Sequence, residues 1–528
     1  MRRVLFASLS LLALAWMSGC SNASSGSAVA NTTPSPSGLS GQFGFVLSGF
    51  DPVNPIVIAG SFTANGSGQI TAGDVDVNDN GVHSTAAAAI TGSYAFDSLP
   101  AGTIGLGALG TMVFTNAVGT VAQPLKFAFA LNSTGTFGTI IDISANSFVV
   151  AGTMQKQSAL TLASLAGGYV VTFNGKSQSS PASAIGRLTL GSTGTVTAAS
   201  FDRSISGVGT YGPNTTATIG AFSAPDGNGR GTFTINLADA LQTTPTQTFA
   251  YYGISASRFI AAETDANGTM IVDAESQGTI LASPATTGSV FGMAGFDTAT
   301  TSEISAVGQV VIPGSLTLGT IADDSNDNGA INTNAALAVP TVTYNAATGR
   351  GTATVTNGLS SGFPNSLVFY LTGTSGGISF IMDSTASASN RAMSGPFTVQ
   401  TGVGVFSTAT DLAGNGGIVR GKGLALNDAD AFIAQFELTS TAGEYALVAD
   451  QRVPTSSGST TVSTSTDGAI APIAVGGLSA STGRGTLLNG AETLAFYVIA
   501  PNQFVFIDIS AVGSGFNGAS PLFLTTPD

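Results

Sequence analysis

Past residue 40 the chain alternates apolar residues with Ser, Thr and Gly in short runs. Ile58-Ala-Gly-Ser-Phe-Thr63 is followed by the turn Asn65-Gly66-Ser67-Gly68 and then Gln69-Ile-Thr-Ala-Gly73. Alternation over four to eight residues, bounded by Asn, Asp and Gly, marks half-buried β-strands. No 3.6-residue stripe persists after Trp16, so the chain should be almost free of helix. In the stretch 39–158 the pattern predicts eight strands, near 42–49, 56–63, 68–76, 89–96, 110–115, 125–131, 136–143 and 148–154. Short turns join them, so sequence neighbours should pair as an antiparallel meander.

The pattern repeats. Leu109-Gly110-Thr111, Arg230-Gly231-Thr232, Arg350-Gly351-Thr352 and Arg484-Gly485-Thr486 each open an alternating run. Each is followed by an aromatic strand (Leu125–Phe129, Thr248–Tyr252, Leu367–Tyr370, Leu494–Tyr497), and then by a strand ending in an acid. Those acids are Asp142, Glu263, Asp383 and Asp508, at intervals of 121, 120 and 125 residues. A period near 120 is too long for a propeller blade of ~40–50 residues. The expected architecture is therefore all-β, with four tandem repeats of about 120 residues. Each should be an antiparallel up-and-down barrel of about eight strands, with β-sandwiches as the alternative. The units are 39–158, 159–280, 281–400 and 401–528.

Composition narrows the function. Of 528 residues only 8% are charged, and Lys+Arg 15 against Asp+Glu 29 gives a net charge of −14. That balance disfavours nucleic acid, and none is expected as a partner, because phosphate contacts need a basic surface. A single cysteine excludes a disulfide framework and Cys-rich metal sites, and a single histidine works against His-based ones.

The N-terminus supplies an address. Met1-Arg2-Arg3 precedes an apolar run from Val4 to Trp16 and then Met17-Ser18-Gly19-Cys20. A basic start, a ~7–15-residue apolar core and small residues before a cut compose a secretory signal. With cysteine at the cut, this resembles the lipobox of bacterial lipoproteins, although Met17 stands where leucine is usual. The resemblance implies that 1–20 is a lipoprotein signal, that Cys20 is acylated with palmitate, and that the chain meets a membrane through N-terminal acyl chains. Ser21, rather than Asp, implies sorting to the outer membrane. The Ser-, Ala-, Asn- and Pro-containing stretch 21–38 reads as a tether.

Candidate chemistry is sparse. Asp74, Asp76 and Asn78, and Asp324, Asn326 and Asn328, sit in Asp/Asn-rich stretches resembling calcium loops; the second matches the opening of an EF-hand loop. The twelfth position there is Ala335, so turn chemistry competes with a calcium site. The repeated acids Asp142, Glu263, Asp383 and Asp508 either line a pocket in each unit or accept backbone N–H groups in the adjoining turn. An appealing pairing joins Arg230 to Glu263, Arg350 to Asp383 and Arg484 to Asp508 at the surface. Leu109 weakens it, since the first unit keeps Asp142 without an arginine. His83, the one candidate base for a Ser-His-Asp triad, occurs in the first unit only.

The strand, Asn-Gly turn and Gly-rich return strand look like calycin-type barrels, a likeness of shape that implies no ligand. The expected function is a non-catalytic, lipid-anchored envelope protein that binds, adheres or spaces, with no cofactor and with a protein or polysaccharide partner left open. One alternative is a carboxylate enzyme acting on envelope or extracellular polymer through residues such as Asp265 or Asp383. The other is a carrier of small apolar ligands inside the barrels.

Overall fold

The alternation becomes four antiparallel ladders. The computed structural model describes residues 38–525 apart from loop stretches, the longest being 98–106, 116–123, 238–245, 386–390, 408–415, 439–444, 455–459, 465–473 and 511–521. Among the described residues there is no α-helix, and every strand pair is antiparallel.

In the first barrel the strands are Ser40–Asp51, Asn54–Asn65, Gln69–Asp79, Gly92–Phe96, Gly107–Phe114, Lys126–Asn132, Phe137–Asp142 and Val149–Lys156, with short Val82–His83 and Ala88–Ala89 besides. The first strand pairs with both the second and the eighth, and the third with the second and fourth, so the ladder closes. The third barrel, Thr286–Asp297 to Arg391–Val399, closes in the same order. The second and fourth, Gly167–Ser276 and Gly416–Thr525, share that order but stay open along one seam. There the fourth strand is split into two short pieces, Gly209–Asn214 with Thr218–Ile219, and Thr460–Thr464 with Ala474–Gly476. In the second barrel Pro213 explains the break, because it offers no N–H to a ladder. The Phe222 N–H donates across that seam to the Gly194 carbonyl (2.8 Å).

Alternation sends one face of each strand inward. The first barrel encloses Phe43, Phe45, Phe62, Phe114, Phe127 and Phe129, with the Phe114 and Phe127 rings 5.3 Å apart. Phe173, Phe249, Tyr251 and Phe259 fill the second, and Phe291, Phe363, Phe369 and Phe397 the third. The glycine of each Arg/Leu-Gly-Thr signature lies opposite an aromatic: Gly110 to Phe129, Gly231 to Tyr251, Gly351 to Phe369 and Gly485 to Phe496. A Cβ on Gly351 would come within 2.1 Å of the Phe369 ring, so only glycine lets the ring lie across the ladder.

The outward face joins barrel to barrel. Val57 and Ala59 of the first pack on Ala250, Tyr252, Ile260 and Ala262 of the second. Val170 and Ile185 meet Val368, Tyr370, Phe380 and Met382. Val290 and Val307 meet Ala495, Tyr497, Val505 and Ile507. The series then returns on itself, as Ile418, Ala431 and Ile433 of the fourth barrel pack on Leu109, Ala128, Ala130 and Ile141 of the first. The four barrels form a closed ring in which each presents the same face to the next.

Candidate functional site

The charged residues of the repeats meet at these joints. On the fifth and sixth strands Arg230 and Tyr252 are cross-strand neighbours facing outward, as are Arg350 with Tyr370 and Arg484 with Tyr497. Each pair reaches back to an aspartate on the third strand of the preceding barrel. Arg230 donates Nε and Nη2 to Asp76 (2.8 and 2.9 Å), and the Tyr252 hydroxyl donates to the same carboxylate (2.6 Å). Arg350 and Tyr370 hold Asp202 at 2.6–2.8 Å. Arg484 and Tyr497 hold Asp324 likewise. The aspartate side chains are 0–6% exposed, so these bidentate pairs are desolvated. Burial, then the neighbouring aspartate, raises Tyr252 and Tyr497 well above the ordinary phenol range, which keeps each hydroxyl a donor.

Two more contacts repeat at the joints. A glutamine after the eighth strand donates to a carbonyl of the next barrel: Gln157 to Gly253 (2.6 Å), Gln277 to Leu371 (2.9 Å) and Gln400 to Val498 (2.6 Å). Asn78 donates to the carbonyl of Glu263 (3.1 Å), and Asn326 to that of Asp508 (2.9 Å).

These contacts correct two expectations. The arginines do not pair with the acid of their own unit, and the pairs are not surface-exposed; Arg230, Arg350 and Arg484 bind the barrel before. In the first unit Leu109 takes that position and packs on Ile418, Ala431 and Ile433 of the fourth barrel. The Asp/Asn-rich stretches are not loops but third strands, Gln69–Asp79 and Thr317–Asp327. Asp74 accepts from Asn228 (2.8 Å), and Asp76, Asn78, Asp324 and Asn326 belong to the joints. Asn328, Cys20 and tether residues 21–37 lie outside the described residues. Among those described, no three His, Cys, Asp or Glu side chains gather as a metal site would require.

The repeated acids occupy one register position. Asp142, Glu263, Asp383 and Asp508 stand opposite Phe127, Phe249, Leu367 and Leu494 on the sixth strand. They share a strand face with the interior residues Ile140, Ala261 and Ile381, so they lie inside the barrels at one end. Asp142, Asp383 and Asp508 accept the N–H two residues on, from Ser144 (3.1 Å), Thr385 (2.8 Å) and Ser510 (2.8 Å). Glu263 instead accepts from Gln247 (2.9 Å), and burial pushes its carboxyl up to about 9. Asp265 takes over the turn, accepting from the N–H of Thr248 and of Asn267 (2.8 Å). His83 places Nδ1 3.0 Å from the Gly81 carbonyl.

A polar hub joins all four barrels near the ring centre. Arg258 of the second bonds Asp273 (2.9 Å), Glu275 (3.3 Å) and Gln155 of the first (3.2 Å). From the fourth, Lys422 donates to Ser48 (2.8 Å) and feels Glu303 of the third, while Arg420 lies near Asp273 and Arg258. Burial pushes Arg420 down to about 10 and raises Glu275 to about 7. Residue types alone did not point to this hub; it depends on ring closure.

No family model, curated protein or solved structure matches the chain.

Proposed function

We propose that the protein is a non-catalytic, lipid-anchored envelope component whose four barrels act as one rigid body for binding, adhesion or spacing. The observation that carries this reading is where the repeated chemistry goes. Asp76, Asp202 and Asp324 are consumed by arginine and tyrosine at the joints. Asp265 serves a turn, and Asp383 lies inside its barrel. Side chains used this way fix barrels against one another. The carrier alternative is weakened by interiors occupied by packed phenylalanine, such as Phe222 on Phe233 with centroids 4.4 Å apart. An eight-stranded barrel is just wide enough to be filled by its own side chains.

The address rests on Arg2–Cys20 and the lipobox likeness. Cells fed a palmitate analogue should label the protein, and Cys20→Ala should abolish both label and outer-membrane fractionation. Unlabelled wild-type protein overturns the anchor. For the body, biotinylated protein should capture an envelope partner equally well with Asp265→Asn and Asp383→Asn. Turnover of an envelope polymer that those substitutions remove overturns the non-catalytic reading.

A further inference from the structure

One end of the ring differs from the other. The first strand of each barrel starts, and the eighth ends, at the end where the inter-barrel connections lie. The linker glutamines tie these ends together: Gln157 reaches the sixth–seventh turn of the second barrel, Gln277 that of the third and Gln400 that of the fourth. Gln42 of the first barrel also donates to Gly227 of the second at this level (3.1 Å). The chain enters here, with Gly38 beside Gly135 in the sixth–seventh turn of the first barrel. All four connection-bearing ends therefore share one face with the start of the folded chain.

On this face the third barrel exposes apolar side chains and, among the described residues, no free charge. Its described residues 277–290, 312–321, 345–349, 371–373 and 399–404 contain no Asp, Glu, Lys or Arg, and the adjoining Arg350 is engaged by Asp202. At the other end of the same barrel stand Asp297, Glu303, Asp324, Asp327 and Asp383. The end without free charge carries Leu281, Val399 and Leu318, the last 84% exposed. Leu316 and Leu318 both hold φ of +59°, a left-handed conformation that a bulky residue adopts only where something over-determines it. Leu316 is rewarded inside the chain, since it packs on the barrel core and its carbonyl accepts from Val342 (3.0 Å). Leu318 has no such return.

We propose that this face of the third barrel, led by Leu318, rests on the phospholipid surface to which the chain is anchored. This rests on the lipid-anchor reading above. From Cys20 to Leu39 the chain has 18 intervening residues. Fully extended they span about 60 Å, and as the coil their composition suggests they average about 23 Å. An anchored chain is thus held with this face within reach of the bilayer. Without Arg2 and Arg3 of the signal the body has 13 Lys+Arg against 29 Asp+Glu, a net charge of −16, and meets an anionic lipid surface best through an end without free charge. Leucine at the tip of a turn buries its side chain among acyl chains at the interface.

The chain past the signal has no tryptophan, so one can be introduced as a reporter. Full-length acylated protein carrying Leu318→Trp is reconstituted in phosphatidylethanolamine–phosphatidylglycerol vesicles, with and without brominated acyl chains. A Val82→Trp variant reports the opposite end, where Val82 is exposed in a third-strand hairpin. Brominated lipid should quench the indole at position 318 at least twofold and leave that at position 82 unchanged. Labelled, vesicle-bound protein with no quenching at 318, or equal quenching at both positions, overturns the proposal while the anchor stands. Absence of palmitate label removes the anchor and the proposal together.

Discussion

Three joints of the ring carry an arginine–tyrosine grip, and at the fourth the same two register positions are apolar. Between the first and second, second and third, and third and fourth barrels, an arginine–tyrosine pair grips a buried aspartate and a linker glutamine adds a further bond. Between the fourth and first, Leu109 and Ala130 occupy the register positions of the arginine and tyrosine, and they pack on Ile418, Ala431 and Ile433. Geometry is shared while chemistry differs. The closing joint thus combines this packing with a hydrogen bond from Lys422 to Ser48 (2.8 Å) and lacks the arginine–tyrosine pair. A buried ion pair is weak evidence of net stability, because desolvation offsets much of its attraction. What it does supply is intolerance: removing one partner strands the other.

The largest expected effect tests that intolerance. Arg350→Ala leaves Asp202 buried without its cation and should cost about 3–5 kcal/mol in urea unfolding. Replacing the grip whole, as Arg350→Leu with Tyr370→Ala and Asp202→Leu, leaves no buried charge behind and should recover most of that loss. A triple variant as unstable as the single one would mean that the loss does not come from the stranded charge. At the closing joint, Leu109→Ala should cost about 3 kcal/mol through lost burial and a residual cavity. That loss should be the same in 0.05 and 1 M salt.

The pH axis separates barrel interiors from joints. Folded Glu263 holds its proton to about pH 9, whereas the ordinary value is 4.5. Its contribution is thus full below pH 4.5 and is lost as pH rises toward 9. Between pH 5 and 7 this amounts to about 2 kcal/mol, and Glu263→Gln should flatten that slope in chemical denaturation while Arg350→Ala leaves it in place. The smallest effect belongs to the linker. Gln277→Ala removes bonds to Thr348 and Leu371 and should cost about 1 kcal/mol in thermal unfolding, with Leu371 left short of a donor.

Much of this was legible before coordinates. Period-two alternation located the ladders, and the spacing of Asp142, Glu263, Asp383 and Asp508 located equivalent positions within them. The partner of the arginines was not legible, because contact between barrels leaves no mark in the period of a single strand. One clue was present: Leu109 lacks the charge while Asp142 remains, so the acid does not depend on an arginine of its own unit. A second was the aspartate recurring in every third strand, at 76, 202, 324 and 450, each opposite an outward residue of the second strand. Asp76 and Asp324 looked like calcium ligands because their Asn-rich surroundings match turn chemistry. Ring closure itself depends on the angle between successive barrels, which no local pattern encodes.

That angle limits how such a chain can grow. A linear array lengthens by duplicating any internal copy, and its two ends stay free. Here the outermost copies already cover each other, so a fifth would find no vacant edge and would have to pry the circle apart to enter. Copy number is thereby set by curvature, and the leucine at position 109 marks where counting starts.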